Sequence, residues 1–368
     1  MADPGFGAAS GLERRLGDTA PSLPSHPGAG EAPSRLLNRI WRGGRPVGIS
    51  DWDQYWHYDR IASCFDDAGS TNYEDVVAAG WRGFFGSLPA GAAILDLCTG
   101  NGALPLIASQ VSRNEGRDFA ITGVDYAAID PEKYVARLAE QLKAIAFLGG
   151  VRAEQLPFAA ASFDAVVSQY GIEYTDLPRS LAEARRVIRP AGQVRLVMHA
   201  AEGAVAKGAK RQIEDADFLL ETVDLPGAAQ RCFEAVTAVE RSPAASAGER
   251  DAAAASVAAF TAALERAAGY VAAATDPRMV RNSGEVLLDT YRRRRHFDRD
   301  QLTAKVDEVR GAILAHRGRV TALRDAAVSR AEAAGVASRL VSFGAGEARS
   351  FALARRGELI GHVVEARF

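Results

Sequence analysis

Gly100 and Gly102 follow a short apolar run in which the only charged residue is Asp96, within the sequence ILDLCTGNGALPL at residues 94–106. Glycine has no Cβ, so the chain can turn sharply here and a ligand can lie against bare backbone. The apolar run is typical of a buried parallel strand, and ligands bind beside the carboxyl ends of such strands. The stretch therefore predicts a ligand-binding loop.

Two common classes of glycine-rich loop do not fit this stretch. A dinucleotide site has the pattern Gly-x-Gly-x-x-Gly, but Pro105 stands at the third glycine position. This departure disfavours an NAD(P)-dependent oxidoreductase. A phosphate-binding P-loop needs Gly-Lys-Ser/Thr, which the stretch lacks.

Three further segments follow the loop ILDLCTGNG in order before residue 200: ITGVDYA, AEQLPFAAASFDAVVSQYGIEYTD and EARRVIRPAGQVRLVMH. The loop resembles an Asp-x-small-x-Gly-x-Gly signature. Together the four segments resemble the Rossmann-like (class I) S-adenosylmethionine-dependent methyltransferases, in their small-molecule branch. The resemblance implies S-adenosyl-L-methionine as the cofactor. No metal is expected, since the three cysteines are too few and too scattered for a zinc site.

The resemblance also implies which residues bind the cofactor. Asp125, at the tip of the second strand, would accept the ribose hydroxyls, and Asp96 would attract the ammonium group. Arg152 stands where the family often has an acid; adenine would then rest on backbone near Ala153 and Glu154, or Arg152 would stack on it. The implied cofactor-binding residues are Asp96, Cys98, Gly100, Asn101, Gly102, Asp125, Tyr126, Ala153, Glu154 and Gln169.

His199 is the candidate general base. Methyl transfer depends mainly on positioning the acceptor, which should lie above the carboxyl ends of the fourth and fifth strands. His199 ends the predicted fifth strand, and imidazole can take a proton near neutral pH. The alternative is a structural histidine bonded to nearby backbone.

Strand and helix patterns alternate from residue 92 to residue 200, which predicts parallel βαβ units. We expect an α/β fold: a Rossmann-like, seven-stranded, mostly parallel sheet, with a helical N-terminal cap and a large helical insertion before the last two strands. The runs SRLVSFG and ELIGHVVEARF are strand-like. The predicted segments are a disordered region at 1–36, an aromatic-rich cap at 37–90, a cofactor-binding core at 91–201, the insertion at 202–335 and the C-terminal strands at 336–368.

Three of the four tryptophans stand within residues 41–56 of the cap. They form either the packed edge of the core or an aromatic lid over a ligand, and the sequence favours neither.

Apolar positions in the insertion repeat with coiled-coil spacing from Leu302 to Ala327, and a second stripe runs from Val257 to Val271. This predicts a helix over about 299–334, paired with the upstream helix in a hairpin, with a homodimer contact expected through the insertion. Alternatively, both helices cap the core.

The net charge of −2 disfavours a nucleic-acid partner, and the basic run YRRRRH at 291–296 is more typical of a solvated helix face. The sequence has no apolar run of membrane-span length, no signal-peptide pattern and only three cysteines. We therefore expect a cytoplasmic protein without a membrane partner. The predicted function is transfer of a methyl group to O, N or C of a small molecule; the alternative is a weakly active or inactive scaffold whose helical arm binds a partner protein.

Overall fold

The computed structural model describes residues 51–62 and 72–368. The predicted disordered region at 1–36 lies outside the described residues, as do residues 37–50 and 63–71 of the cap. The chain divides into two compact units. Of the described residues, those up to Lys210 and Arg319–Phe368 form the sheet unit, and Arg211–Gly318 form the helical unit.

A seven-stranded sheet forms the centre of the sheet unit, in the order β3-β2-β1-β4-β5-β7-β6. The strands are β1 (Ala93–Leu97), β2 (Ala120–Val124), β3 (Ala146–Leu148), β4 (Phe163–Gln169), β5 (Ile188–His199), β6 (Glu347–Arg355) and β7 (Glu358–Arg367). Strands β1 to β5 are parallel, whereas β7 runs antiparallel to both β5 and β6. This order confirms the predicted Rossmann-like α/β fold.

The α-helices of the described chain number twelve. They are α1 (Asp51–Trp56), α2 (Asp75–Gly86), α3 (Ala103–Glu115), α4 (Pro131–Tyr134), α5 (Ala139–Leu142), α6 (Leu177–Val187), α7 (Ala204–Asp217), α8 (Leu225–Arg241), α9 (Ala247–Tyr270), α10 (Pro277–Arg292), α11 (Arg299–Ala326) and α12 (Arg330–Ser342). Between β2 and β3 the chain forms two short helices, α4 and α5, with a 3₁₀ turn between them, because Val135 leaves the helical backbone and buries its side chain in the core.

Apolar side chains cover both faces of the sheet, as parallel sheets require. On one face, α2 and α3 contribute side chains such as Trp81, Phe85 and Ile107. On the other face, α6 and α12 contribute side chains such as Leu181 and Leu340. The carboxyl edge of the parallel strands is thereby left between two helical layers.

The strand assignment of SRLVSFG is wrong. These residues end α12, in which Val336, Ala337 and Leu340 are buried against the sheet. Their spacing is helical, but the short run contains too few turns to separate a helix from a strand. The sixth strand is β6, whose largely exposed side chains give it no clear alternation.

The helical unit has its own apolar core. Leu302, Val306, Val309 and Ile313 are buried there, as the predicted stripe requires, in one cluster with Phe260. The predicted hairpin is nevertheless wrong in two respects. Helix α9 packs most extensively against α8 rather than α11, and α11 ends at Ala326 rather than near residue 334.

The basic run at 291–296 is partly buried. Arg294 is only 4% exposed, and its guanidinium pairs with Glu240 and packs over the Tyr291 ring. Tyr291 and Arg294 therefore pack inside the helical unit, contrary to the predicted solvated helix face, whereas Arg293 and Arg295 are exposed.

Within residues 51–62 and 72–368, no helix is long and apolar enough to cross a membrane. The same residues contain no group of three or more His, Cys, Asp or Glu side chains arranged to hold a metal ion. The homodimer, the cytoplasmic location and the predicted segment boundaries stay predictions.

The packing of α12 can be tested by truncating its buried side. Leu340→Ala should lower the free energy of unfolding by about 2–5 kcal/mol, because Leu340 is fully buried in the sheet core. The matched control is Val341→Ala on the same helix, where the side chain is 49% exposed and the expected change is small. Urea denaturation followed by circular dichroism measures both, and equal effects would contradict the packing of α12 on the sheet.

Candidate active site

The loop after β1 has an unusual backbone. Cys98, Gly100 and Gly102 all have positive φ angles, of 57°, 52° and 90°. Gly102 is the N-cap residue of α3, so the loop passes directly from the carboxyl end of β1 into a helix. Glycine is the residue that adopts such angles without strain, which explains both glycines of the motif.

Aromatic rings pack against these glycines. A Cβ atom on Gly100 would lie 2.4 Å from Cζ2 of Trp56, and one on Gly102 would lie 2.6 Å from Cζ of Phe147. The Asn101 side chain points the same way, since its Nδ2 donates to the carbonyl oxygens of Trp56 and Arg60, both at 2.9 Å. The loop therefore binds the segment that follows α1.

Asp125 connects this loop to the end of β2. Its Oδ2 accepts a hydrogen bond from the Gly100 amide and its Oδ1 accepts one from the Ala127 amide, each at 2.8 Å. Burial raises the pKa of Asp125 to about 6, and the charge of Asp53 adds to this, while the backbone hydrogen bonds oppose it. The carboxylate is thus ionised at neutral pH and holds two loops together.

Asp96 is the second acid at this edge, and it is only 2% exposed. Burial raises its pKa to about 8; the nearby Thr99 hydroxyl opposes this and the charge of Asp125 adds to it. Its Oδ1 has no hydrogen-bond partner among the described residues. A buried acid with an unused oxygen, next to a second acid, is suited to a cationic group that would restore its charge.

These acids face a cavity of about 450 Å³ at the carboxyl edge of β1, β2 and β4. This volume lies within the usual range for small-molecule sites. The polar lining includes Asp96, Thr99, Asp125, Glu154, Gln169 and Thr175. The aromatic lining consists of Trp52, Trp56, Tyr73, Tyr126, Tyr170 and Tyr174.

Gln169 ends β4 and is fixed from behind by the fold. Its Oε1 accepts a hydrogen bond from Nε1 of Trp81 at 2.5 Å, and both side chains are buried. This bond leaves the amide nitrogen Nε2 without a partner among the described residues. Gln169 therefore has a donor available for a ligand.

His199 lies beside the cavity without lining it. Its backbone N–H and its Nδ1 both contact Oε1 of Glu173, at 2.9 Å and 2.8 Å, and the two side chains are almost completely buried. The ring stacks on Tyr170 with centroids 4.1 Å apart, and Tyr170 does line the cavity. The sequence alone gave no reason to pair His199 with Glu173.

The structure brings most of the predicted cofactor residues to the cavity. Asp96, Cys98, Asp125, Tyr126, Ala153, Glu154 and Gln169 line it. Gly100, Asn101 and Gly102 are in the loop but are not among the lining residues, and neither is His199. Arg152 lines the rim, where its guanidinium packs 4.2 Å from the centre of the Tyr126 ring.

Sequence reasoning missed several walls of the cavity. Tyr73, Leu104 and Ala322 line it, and Ala322 comes from α11, more than a hundred residues beyond the last recognisable motif. Trp52 and Trp56 both line the cavity. The alternative of an aromatic lid places these tryptophans over a ligand.

The raised pKa of Asp96 has a consequence for stability. Folding raises this pKa from 3.8 to about 8, so the folded protein retains a proton that the unfolded chain releases between these values. The free energy of unfolding should therefore fall with rising pH, by up to ~1.4 kcal/mol per unit, and level off above pH 8. Asp96→Asn should remove this slope between pH 6.5 and 8.

Urea titrations across that pH range measure the slope, with Asp118→Asn, an exposed acid of the same unit, as the control for loss of one charge. An Asp96→Asn slope equal to that of the unmodified protein would contradict the raised pKa.

Comparison with known proteins identifies the domain that carries this edge of the sheet. Residues 94–192 match the family profile described as a methyltransferase domain. A 2-phytyl-1,4-naphtoquinone methyltransferase of Trichormus variabilis is 32% identical over 142 residues, which are 36% of this chain and 58% of that protein. A demethylmenaquinone methyltransferase of Lactococcus lactis is 38% identical over 106 residues, which are 28% of this chain and 40% of that protein.

Among solved structures, the YcgJ protein of Bacillus subtilis is similar at 23% identity, with a TM-score of 0.29, over 38% of this chain and 58% of that chain. The chain spans about three fifths or less of the length of these relatives. The family match covers β1 to the start of β5, with the glycine loop and Asp125 inside it. Residues 94–192 of this chain are therefore similar to the methyltransferase domain family, and they lie in a sheet whose strand order is Rossmann-like.

Proposed function

We propose that the protein transfers a methyl group from S-adenosyl-L-methionine to O, N or C of a small-molecule acceptor. The observation that carries this proposal is the cavity itself, which combines a buried acid, Asp96, and a half-buried acid, Asp125, at the glycine loop with several aromatic rings. The names of the relatives support a quinone-type aromatic ring as the first acceptor class to test.

The residues at the cavity fit the cofactor. The unpaired Oδ1 of Asp96 suits an ammonium group, directly or through a water, and the ionised Asp125 suits a ribose diol. The free Nε2 of Gln169 is an additional donor. Adenine would lie near Ala153 and Glu154, with the Arg152–Tyr126 pair at the rim offering a planar surface on which to stack.

When bound, this cofactor supplies an electrophilic methyl group on a sulfonium. The chain's own contribution is positioning and exclusion of water. The rings of Trp52, Tyr170 and Tyr174 present flat apolar surfaces to an acceptor, and they restrict its orientation relative to the acids on β1 and β2. Correct orientation of two reactants alone can lower a barrier substantially.

His199 stays our proposal for the general base. Glu173 would hold its Nδ1 and favour the protonated imidazole after proton transfer. Tyr170 is stacked on the imidazole and lines the cavity in its place, so a direct role requires the Tyr170 ring to move when the acceptor binds.

Cofactor binding is tested by Asp125→Asn. The variant keeps the shape of the side chain but removes the charge, so affinity for S-adenosylhomocysteine should fall about ten- to a hundredfold, since charge-assisted hydrogen bonds contribute ~1.5–3 kcal/mol. Titration calorimetry at pH 7.5 measures this, with Asp118→Asn as the charge-matched control. Unchanged affinity would move the ribose site elsewhere, and NADH binding in place of S-adenosylhomocysteine would reject the proposed cofactor.

The role of His199 is tested by His199→Gln. With an acceptor that the unmodified protein methylates, turnover should fall about 100-fold or more in the variant. Its affinity for S-adenosylhomocysteine should stay within about threefold of that of the unmodified protein. A normal rate would assign His199 to structure. Cofactor binding without methyl transfer to any acceptor would favour an inactive scaffold whose helical arm binds a partner.

A further inference from the structure

We propose that Ala322, on the last two turns of α11, determines which acceptors the cavity admits. This inference rests on the proposed function. Ala322 lines the cavity although it lies 130 residues beyond the end of the matched domain at residue 192. It is therefore a wall that this chain adds to the domain, from a segment that the family match does not cover.

The backbone of this segment is fixed at the end of β5. The Val328 N–H donates to the His199 carbonyl oxygen at 2.8 Å, and the Ala201 N–H donates to the Val328 carbonyl oxygen at 2.9 Å. Ala200 and Val328 thereby form a parallel bridge. The end of α11 is thus held at the strand end above which the acceptor is expected.

An aromatic cluster fixes the same turns from the other side. The Arg319 guanidinium packs over the Tyr55 ring, 5.0 Å from its centre. Tyr55 packs edge-on against Trp52, and Trp52 packs edge-on against Tyr174, each pair with centroids 5.5 Å apart. Trp52, Tyr174 and Ala322 all line the cavity, so residue 322 belongs to its aromatic side.

The size of the side chain at position 322 therefore determines how much of the cavity is free for an acceptor. The methyl group of Ala322 leaves space that a longer side chain would fill. Because the helix is held in place by its contacts, it would not move away to restore that space. The acids Asp96 and Asp125 lie on β1 and at the tip of β2, away from β5. Enlarging residue 322 should therefore reduce acceptor binding and leave cofactor binding intact.

The experiment compares Ala322→Leu with Ala304→Leu, which makes the same change at an exposed position of the same helix. Both should fold normally, since leucine and alanine are similar helix formers, and thermal unfolding checks this. Titration calorimetry with S-adenosylhomocysteine should give affinities within about threefold of the unmodified protein for both variants.

Acceptor-side binding is then measured on the protein saturated with S-adenosylhomocysteine, with 1,4-naphthoquinone as the probe and quenching of tryptophan fluorescence as the signal. Ala322→Leu should weaken this binding at least tenfold, and Ala304→Leu should not change it. Equal probe binding in the two variants would overturn the inference, as would loss of S-adenosylhomocysteine binding in Ala322→Leu alone. Absence of S-adenosylhomocysteine binding in the unmodified protein would instead reject the proposed function.

A crystal structure of Ala322→Leu with S-adenosylhomocysteine gives an answer that does not depend on the probe. The inference expects the introduced leucine to project into the cavity beside Trp52 and Tyr174, without contacting the cofactor. A leucine that turns away from the cavity, or one that contacts the cofactor, would contradict it.

Discussion

The Asp125 carboxylate holds the candidate site together. It accepts hydrogen bonds from the amides of Gly100 and Ala127 and so joins the loop after β1 to the end of β2. Because this acid is half-buried, its backbone donors compensate for the hydration that it loses. The positive φ angles of Gly100 and Gly102 bring the loop close enough for this bond, and they also leave space for Trp56 and Phe147. Substituting Gly100 or Gly102 by a residue with a Cβ would disturb both the loop and the aromatic rings packed on it.

The cavity combines acidic groups with aromatic rings. Asp96 and Asp125 lie close together at the glycine loop, and burial raises the pKa of each, so Asp96 is largely protonated near pH 7 in the free protein while Asp125 is ionised. Ionising both acids is unfavourable unless a cation shares the site, which is consistent with a site built for a positively charged ligand. Six aromatic side chains and Ala322 from α11 also line the cavity. Function of the proposed kind needs both kinds of group, acids for a charged donor and apolar surfaces for an acceptor.

Local patterns in the sequence were sufficient to predict the five parallel strands of the sheet. Continuous apolar runs between helical segments identified β1 to β5, and motif spacing brought Asp96, Asp125 and Gln169 to one edge. The wrong predictions have a common physical cause. The structure of each mispredicted segment is determined by the segments that it packs against. SRLVSFG is helical because its apolar face packs on the sheet. Helix α9 packs mainly on α8, although α11 carries a matching apolar stripe. The contact between His199 and Glu173 and the position of Ala322 likewise depend on contacts between segments far apart in the chain, about which spacing carries no information.

In the proposed function, Asp125 and the glycine loop bind the cofactor of a methyltransferase site. The most direct measurement is a crystal structure of the unmodified protein with S-adenosylhomocysteine. The account predicts that both ribose hydroxyls lie within hydrogen-bond distance of the Asp125 carboxylate and that the amino group lies on the side of Asp96. A ligand bound elsewhere, or one whose ribose makes no contact with Asp125, would contradict it.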